Sequence, residues 1–338
     1  MILIVSEEVD FSTSEVIDWL MYFEQPFIRV NLSDSIVINN VIIDDNFVDF
    51  SFTVKRANSH LNDVDVKYSQ VSGFWYRRGG LRHFYDKILI GDHFILNDFN
   101  NLLEREFSAI TSFISWLLIQ KHSIGSYEHN NIPKLKQLAI AKLCGLDIPT
   151  TRIITNKQEL LEFSKQRDII VKGVQEGAII SSDRKIAFGT GTNLFPAEQI
   201  LGTEECFCPT LFQNKLEKLY EIRVFYLDRQ CFSMAIFSQK NEKTKIDFRN
   251  YDYETPNRTV PYKLPSSIEQ KICAFMDAMN MNCGSIDIVF TTERRYIFLE
   301  VNPIGQFQQV SLPCNYYLHK AIAVFFKNQN GENGFSTL

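Results

Sequence analysis

The stretch GSIDIVFTTERRYIFLEVNP, residues 284–303, constrains the fold more than any other part of the sequence. Two strand-like apolar runs flank the pair Glu293-Arg294, a pattern typical of a β-hairpin. With the turn centred on that pair, Asp287 lies directly opposite Glu300. Opposed side chains in an antiparallel pair have Cβ atoms about 4.5–5.5 Å apart. Two carboxylates held that close repel each other unless they share a cation or a proton.

Alternation along the two strands predicts one polar and one apolar face for this hairpin. In the same register Ser285 lies opposite Asn302, so both join the two carboxylates on the polar face. An all-oxygen set of Asp, Glu and Asn suits Mg²⁺ rather than zinc. The alternative is an ordinary solvated face that carries two acids. The residues of the predicted apolar face are Ile286, Ile288, Phe290, Ile297, Leu299 and Val301.

Basic residues elsewhere could complete a phosphate site beside the hairpin. Lys172 ends an apolar strand and precedes the glycine-rich segment 173–192, where a cation can meet a phosphate chain. Glu221 and Arg223 share one strand face, and Arg249 follows in Asp-Phe-Arg. Arginines near a carboxylate–metal site can clamp a transferring phosphoryl group. The alternatives are a solvated surface lysine and arginines in structural ion pairs.

The N-terminal third alternates short apolar runs with amphipathic segments, which is typical of an open α/β domain. Ser12 and Thr13 are predicted to cap its first helix. The pair Asn39-Asn40 between two apolar runs favours a hairpin with a type I′ turn. We therefore predict a first domain at 1–120. Its predicted elements are strands at Ile2–Val5, Phe27–Val30, Ile36–Ile38, Val41–Ile43 and Phe74–Arg77, and helices ending near Phe23 and Gln120.

The rest of the chain is predicted to form a central domain at 121–207, a C-terminal domain at 208–328 and a tail at 329–338. Gly145 is expected to end the first central helix, Asn156 to cap the next helix, and 173–192 to form a mobile hairpin or loop. The turn Leu227–Gln230 is expected to join two later strands. The apolar stripe expected on that helix is Leu135, Leu138, Ala139 and Leu143. The predicted helices are Leu135–Cys144, Asn156–Lys165, Ser267–Met279 and Tyr316–Phe326. The predicted strands, besides the 284–303 hairpin, are Arg152–Ile154, Ile169–Lys172, Glu221–Tyr226 and Cys231–Ser238.

Composition excludes several other classes of protein. A net charge of −5 argues against a protein that binds nucleic acid through a broad basic surface. The apolar run Ile2–Val5 is too short for a signal peptide, and the run at 110–119 is too polar to span a membrane. Seven scattered cysteines predict free thiols in a reducing compartment, and so a cytoplasmic protein. The sequence contains no GxGxxG, GxxxxGK[ST] or GxSxG motif, which argues against a dinucleotide-binding domain, a P-loop and a hydrolase nucleophile elbow.

From Lys134 onward the order of these features resembles the ATP-grasp superfamily of carboxylate ligases. More closely, it resembles the peptide ligases that cyclise graspetides, the microviridin-type and grasp-with-spasm enzymes. The Asp…Glu-x-Asn set is typical of the superfamily, and DFR at 247–249 with NPIGQF at 302–307 is typical of the peptide-cyclising branch. FWYRRG at 74–79 is similar to part of that branch's N-terminal domain. The other matching stretches are 133–155, 168–173, 208–227, 238–252 and 284–290.

The resemblance implies an α/β (α+β) ATP-grasp fold with an N-terminal open α/β domain, a central domain and a C-terminal domain. The implied ATP-binding residues are Lys134 and Lys172 at the phosphates, Leu211, Phe212, Gln213, Asn214 and Leu216 in a hinge beside adenine, and Glu221. The backbone of Gln213 and Asn214 would read the adenine edge. The implied magnesium ligands are Asp287, Glu300 and Asn302, and the implied catalytic residues, facing the γ-phosphate and the acyl phosphate, are Arg223 and Arg249. The loop after Lys172 lacks the glycine-serine pattern of the wider superfamily, and the hinge has Asn214 where the protein-glutamate ligases carry an acid.

The implied activity is that of an ATP- and Mg²⁺-dependent, ADP-forming ligase. It would activate Asp or Glu side chains of a ribosomally made precursor peptide and form ω-ester or ω-amide rings with Thr, Ser or Lys. The expected partner is a precursor with leader and core; a homodimer is left open, and no nucleic-acid or membrane partner is expected. One rival is a ligase of free amino acids or of a protein C-terminus. The other is a nucleotide-binding module without turnover, which the intact metal set disfavours.

Overall fold

The computed structural model describes residues 1–84, 93–165, 167–174, 180–181, 187–188, 191–241, 243–245, 248 and 252–328. Its strands are β1 (Ile2–Val5), β2 (Phe27–Val30), β3 (Ser35–Ile43), β4 (Val48–Lys55), β5 (Val64–Lys67), β6 (Gly73–Tyr76), β7 (His122–Ile124), β8 (Thr151–Asn156), β9 (Ile169–Lys172), β10 (Ile180–Ser181), β11 (Ala187–Phe188), β12 (Asn193–Phe195), β13 (Cys206–Asn214), β14 (Lys218–Leu227), β15 (Gln230–Phe237), β16 (Arg258–Tyr262), β17 (Cys283–Thr291) and β18 (Tyr296–Asn302). Its helices are α1 (Phe11–Tyr22), α2 (His93–Ile119), α3 (Lys134–Leu143), α4 (Lys157–Ser164), α5 (Ala197–Leu201), α6 (Ser266–Ala278), α7 (Gln308–Cys314) and α8 (Leu318–Lys327).

The chain forms two compact units, Met1–Asn130 with Tyr317–Leu338, and Asn131–Tyr316. These differ from the predicted domains because tertiary pairing crosses the predicted boundaries. Strand β7 pairs with β6, so the N-terminal sheet extends past residue 120. Strand β13 belongs to a central sheet and begins at Cys206, so the predicted boundary at 207/208 falls inside one strand. Helix α8 packs against α1 of the first unit, and the predicted tail lies outside the described residues.

The first unit contains a parallel sheet with strand order β2-β1-β6-β7. Its central strands are buried along their whole length, as expected for a parallel sheet that is covered on both faces. A second, antiparallel sheet is formed by β3, β4 and β5. The predicted strands at β1 and β2 are confirmed with their bounds, because continuous apolar runs between polar residues are unambiguous at this length.

The predicted hairpin at Asn39-Asn40 is wrong. Strand β3 continues through both asparagines, and the chain turns only after Ile43 to pair with β4. The two side chains hydrogen-bond across the sheet instead: Asn39 Nδ2 donates to Thr53 Oγ1 at 3.1 Å and Ser51 Oγ donates to Asn40 Oδ1 at 2.8 Å. Cross-strand partners therefore override the local turn preference of an Asn-Asn pair, and they come from a strand that the sequence did not predict.

The N-terminus of helix α1 is capped by Asp10, not by Ser12 or Thr13 as predicted. Asp10 Oδ1 accepts a hydrogen bond from the Thr13 N–H at 3.3 Å. Its other oxygen accepts one from Nε of the buried Arg77 at 3.0 Å. Burial raises the pKa of Asp10, but the guanidinium groups of Arg77 and Arg78 and the hydrogen bonds outweigh burial, so the pKa lies below its usual range. The arginine at the end of β6 thus anchors the first helix.

We predict that Asp10→Asn lowers the free energy of unfolding by about 3 kcal/mol at pH 7, because it removes the carboxylate charge that lies against the buried Arg77 guanidinium while asparagine still caps the helix. The contribution of Asp10 is complete above its unfolded pKa of about 3.9 and is lost as the pH falls through its lower folded pKa. Urea unfolding between pH 3 and 7 measures both effects. Asp63→Asn, which breaks the exposed Lys55–Asp63 pair, should change little. An equal loss in both variants would contradict this role.

The second unit contains a four-stranded sheet of order β12-β9-β13-β8 and a five-stranded sheet of order β16-β15-β14-β17-β18. Strands β10 and β11 pair antiparallel, so the hairpin predicted within 173–192 is confirmed for these two short strands. The Asn156 cap of α4 is also confirmed, since its Oδ1 accepts from the Glu159 N–H at 2.9 Å. The β14–β15 turn at Asp228 and Arg229, both with positive φ, is confirmed as well.

Helix α3 buries a different stripe from the predicted one. Leu138 is buried as predicted, but Leu135, Ala139 and Leu143 are exposed. The residues on its buried face are Gln137, Leu138 and Ala141. A tertiary hydrogen bond fixes this face toward β18, because the Val301 N–H donates to Gln137 Oε1 at 2.9 Å. Gly145 (φ 79°) follows the end of the helix, as predicted.

The predicted helix Tyr316–Phe326 corresponds to α8, but it begins later. A separate helix, α7, precedes α8 and was not predicted. Asn315 and Tyr317 between the two helices have positive φ values of 53° and 52°, which break the helical path. In the part of the chain described here, no helix combines the length and the apolar character needed to cross a membrane.

Candidate nucleotide and metal site

The β17–β18 hairpin brings the two predicted carboxylates together. Asp287 pairs with Glu300 and Ser285 with Asn302, so the predicted register is confirmed at this end of the hairpin. A bulge then shifts the register, and Ile288 pairs with Phe298. Beyond the bulge, two assignments to the predicted apolar face are wrong. Ile297, which pairs with Val289, and Leu299, which lines a cleft, both lie on the opposite face of the hairpin. The residues that replace them against the core are Tyr296 and Phe298.

Each carboxylate of this pair contacts a cation. Arg223 lies opposite Asp287 on the neighbouring strand β14, and its Nη1 donates to both carboxylate oxygens at 3.0 and 3.1 Å. Lys134 Nζ, at the start of α3, lies 3.2 Å from Glu300 Oε2. Arg223 and Asp287 are buried, at 5% and 8% exposure. Two opposed carboxylates are therefore balanced by two cations supplied from different elements.

The third predicted ligand, Asn302, lies at the end of β18 beside this pair. Its Oδ1 accepts a hydrogen bond from the Ile304 N–H at 3.1 Å, which leaves that oxygen a second lone pair. Its partner Ser285 is buried and donates to the Gln306 carbonyl at 3.2 Å. Both contacts fix the turn after β18, so the Asn302 amide is held by the backbone that follows its own strand.

A cleft of about 250 Å³ lies in the second unit beside the hairpin. Its walls carry lysines and carboxylates together with apolar side chains from both sheets of this unit. The predicted site residues that line it are Lys172, Gln213, Asn214, Leu216, Glu221, Asp287 and Glu300. The predicted residues that do not line it are Lys134, Leu211, Phe212, Arg223 and Asn302. Arg249 lies outside the described residues.

The predicted hinge is the end of β13 and the connection that follows it. Leu211 and Phe212 are buried within the sheet, and Phe212 packs in a core cluster, so their side chains are unavailable to a ligand. Of the backbone groups of Gln213 and Asn214 that were predicted to read the adenine edge, the Asn214 N–H donates to the Thr150 carbonyl at 3.1 Å. Among the described residues the Leu216 N–H has no backbone partner. The Leu216 N–H, unlike that of Asn214, is therefore available to a ligand in this cleft.

A hydrogen-bonded network surrounds Glu221 inside the cleft. Lys218 Nζ donates to one oxygen of Glu221 and Ser238 Oγ donates to the other at 3.0 Å. Gln239 Nε2 donates to Ser238 Oγ at 3.1 Å and to the Lys245 carbonyl at 3.3 Å. Glu221 is thus held rigidly and is joined to the segment that follows β15.

Several residues in and around this cleft were not predicted from the sequence, although the β14–β15 register could have revealed Ser238. The turn at Asp228 and Arg229 fixes the β14–β15 register, with Glu221 opposite Ile236. Ser238 lies two residues beyond Ile236, so it shares the face of Glu221. The register therefore predicts their contact by the same reasoning that paired the two carboxylates. The lining residues that were not predicted as site residues include Lys215, Glu217, Lys218, Gln239, Lys245 and Phe248.

Lys215 adds a fixed positive charge at the edge of this cleft. Its Nζ lies 3.0 Å from Glu217 and 3.2 Å from Asp168. The Glu217 carboxylate, followed by that of Asp168, raises the pKa of Lys215 above its usual range despite partial burial. The ammonium group is therefore charged at neutral pH.

Three solved structures are similar to the chain over nearly its whole length. The Chryseobacterium gregarium RiPP-associated ATP-grasp ligase, in complex with ADP and a leader and core peptide, has a TM-score of 0.77 at 24% identity, covering 97% of this chain and 96% of that chain. The macrocyclase MdnC from Microcystis aeruginosa, bound with precursor peptide MdnA, gives 0.73 at 24% identity over 97% and 99%. The ATP-grasp ligase PsnB, complexed with minimal precursor, Mg and ADP, gives 0.66 at 16% identity over 97% and 96%. The chain has the ATP-grasp fold.

This similarity confirms the fold predicted from the sequence. No protein-family model matches the chain, and no curated protein matches it. At identities of 24% and below, the ATP-grasp fold is what the solved structures share with this chain. The roles of its residues follow from their own geometry.

The residues present fit Mg²⁺ in this ATP-grasp fold. Carboxylate and amide oxygens are the donors that Mg²⁺ prefers, and Asp287, Glu300 and Asn302 supply them from paired positions of one hairpin. Lys134 and Arg223 already hold positive charge against the two carboxylates. The described residues contain no group of three or more His, Cys, Asp or Glu side chains placed to hold a metal, so any metal here also needs ligands from an amide, water or phosphate.

Proposed function

We propose that this chain is an ATP- and Mg²⁺-dependent carboxylate ligase that forms ADP. The observation that carries the proposal is the opposed pair Asp287–Glu300 in the wall of a cleft that also presents Lys172. A phosphate chain brings negative charge that lysine and a magnesium site can neutralise.

The substrate we propose is a ribosomally made precursor peptide whose Asp or Glu side chains are activated. The similar ATP-grasp structures from Chryseobacterium gregarium and Microcystis aeruginosa contain precursor peptides, which supports this substrate class. A carboxylate oxygen of the peptide attacks the γ-phosphorus of ATP, giving an acyl phosphate and ADP. A hydroxyl or amine of the same peptide then attacks the acyl carbon, and phosphate leaves with the closure of an ω-ester or ω-amide ring.

The chain's own residues contribute binding and orientation in this reaction. Lys172 and Lys245 line the cleft where the phosphates would lie. Arg223 holds Asp287 with one nitrogen while its buried Nε has no partner among the described residues. Magnesium, when bound by Asp287, Glu300 and Asn302, would neutralise the charge that develops on the phosphoryl oxygens. Because acid and nucleophile belong to one peptide, ring closure is effectively unimolecular.

We extend the proposal to a reducing, cytoplasmic location. All seven cysteines are free thiols, including the exposed pair Cys206 and Cys208. Free thiols are typical of reducing compartments. A second copy of the chain as partner stays a prediction.

The test is to incubate the purified protein with MgATP and a Thr/Ser- and Asp/Glu-rich peptide encoded beside its gene. We expect ADP release and the loss of one water from the peptide for each ring, measured by mass spectrometry, with much less conversion when the leader is removed. The Glu300→Gln variant is the matched control and should leave the peptide mass unchanged. Unchanged peptide with rapid ligation of free amino acids would instead support the small-molecule rival.

A further inference from the structure

The parallel sheet of the first unit has a topological switch point between β1 and β6. The strand that follows β1 within this sheet, β2, lies on one side of it, and β6 lies on the other side. In open α/β sheets, ligands bind in the crevice at the carboxyl ends of the strands beside such a point. In this unit the switch point is followed by the turn Arg77-Arg78-Gly79-Gly80. The strand order therefore predicts a ligand-binding crevice at the carboxyl ends of β1 and β6.

A second cleft, of about 330 Å³, opens at this edge. It is lined by Gly79 and Gly80 of the turn, by Arg82 and by Tyr127. Gly79 has a φ of 75°, and a Cβ there would lie 3.4 Å from Leu32 Cδ1, so glycine keeps the turn close to the cleft wall. The face of α2 that borders the cleft carries hydroxyl groups, from Ser108, Thr111, Ser112 and Ser115.

Among the residues that the structure describes, the charge of this cleft is positive and uncompensated. Arg82 is exposed, and its guanidinium makes no hydrogen bond or ion pair with any residue that the structure describes. It is the only charged residue among the described lining residues. The nearby Arg77 and Arg78 are different, because Asp10 and Glu7 lie against them. A guanidinium with free donors beside hydroxyl groups matches a carboxylate, which accepts two hydrogen bonds from one arginine.

We propose that the cleft at Gly79, Arg82 and Ser115 is a second peptide-binding site, which holds an acidic side chain of the substrate. This proposal rests on the proposed function, since a precursor rich in Asp and Glu supplies such side chains. Arg82 would bind the carboxylate, and the hydroxyl groups of α2 would contact neighbouring polar groups. The site would select peptides by charge without taking part in phosphoryl transfer.

The experiment uses the full chain and two fluorescein-labelled peptides, one that alternates threonine with glutamate and one with glutamine in place of every glutamate. Fluorescence anisotropy measures their binding to the parent protein and to Arg82→Gln. We expect Arg82→Gln to weaken binding of the glutamate peptide about tenfold, the size of one charged hydrogen bond. Binding of the glutamine peptide should not depend on Arg82. The exposed Arg105 on α2 is outside the cleft, so Arg105→Gln is the charge-matched control.

Ser115→Leu tests the position of the peptide because it narrows the cleft without changing any charge. It should weaken binding of both peptides, whereas ADP affinity and the melting temperature should match those of the parent protein. Equal affinities of the parent protein and Arg82→Gln for the glutamate peptide would overturn the proposal, as would equal losses for both peptides or no effect of Ser115→Leu. These binding results are separate from ring formation. Charge-selective binding without ring formation would contradict the proposed function alone, and ring formation without charge-selective binding would contradict this second site alone.

Discussion

Glu300→Gln is expected to lower ATP turnover and ring formation by at least about a hundredfold, with no change in the fold. The substitution removes one carboxylate charge from the pair with Asp287 and keeps the shape of the side chain. A magnesium site that loses a charged oxygen loses most of its affinity for the metal. The apolar face of the hairpin is unaffected, because Glu300 lies on the cleft side.

The stability of this variant should stay close to that of the parent protein. Glu300 pairs with Lys134 at 3.2 Å, and Lys134 is 19% exposed, so water can solvate the ammonium when its partner is neutral. Glu293→Gln is the matched control, since Glu293 lies in the exposed turn of the same hairpin and pairs only with Arg295 among the described residues. Steady-state ADP release and thermal melting of both variants provide the measurement. Normal turnover by Glu300→Gln would refute the metal assignment.

The carboxylate pair was predicted correctly, although the predicted two-residue turn is wrong. The Thr291 N–H donates to the Arg295 carbonyl and Phe290 pairs with Tyr296, so the register beside the turn differs by one residue from the predicted one, and a bulge restores the predicted pairing of Asp287 with Glu300. The bulge after this pair could not be predicted in the same way. It places Leu299 in the cleft and Phe298 in the core, and this exchange depends on packing against β14 and α6.

Long-range contacts explain the other differences between prediction and structure. The Asn39-Asn40 pair has the local chemistry of a turn, but Ser51 and Thr53 of β4 give both side chains better partners in an extended strand. Likewise, the buried face of α3 is selected by the hydrogen bond between Gln137 and Val301, which are far apart in sequence. Local preference is a weak guide wherever a tertiary partner competes for the same groups.

A cation of the site, Lys134, also reaches its position through long-range contacts. The contact between Lys134 and Glu300 requires α3 to pack beside β18, and that packing depends on the turn of Gln137 toward the strand. The sequence resemblance implied that Lys134 contacts phosphate. In the structure it contacts a candidate metal ligand, so a bound cation and Lys134 compete for the same carboxylate. Magnesium bound at the proposed site would therefore be coupled to Lys134 through one glutamate.

Arg223→Met is expected to destabilise the protein by about 3–5 kcal/mol in the absence of magnesium. The reason is that Asp287 is buried and Arg223 Nη1 lies 3.0 Å from its carboxylate, so methionine removes a guanidinium from beside a buried carboxylate. Excess Mg²⁺ should restore much of this stability, because the metal can take the place of the guanidinium. Mass action gives about 2.7 kcal/mol when the metal is at a hundred times its dissociation constant.

The control for this prediction is Arg229→Met, which breaks an Arg–Asp pair of the same 3.0 Å length on the surface. Both members of that pair are more than half exposed, so neither stability nor its dependence on magnesium should change measurably. Urea unfolding followed by far-ultraviolet circular dichroism, with and without MgCl₂, measures the two conditions for each variant and for the parent protein. If Arg223→Met is destabilised equally with and without magnesium, Asp287 does not bind the metal and Arg223 has a purely structural role. A gain in stability with magnesium that is larger in Arg223→Met than in the parent protein is the expected result, since only the variant has lost the cation that competes for Asp287.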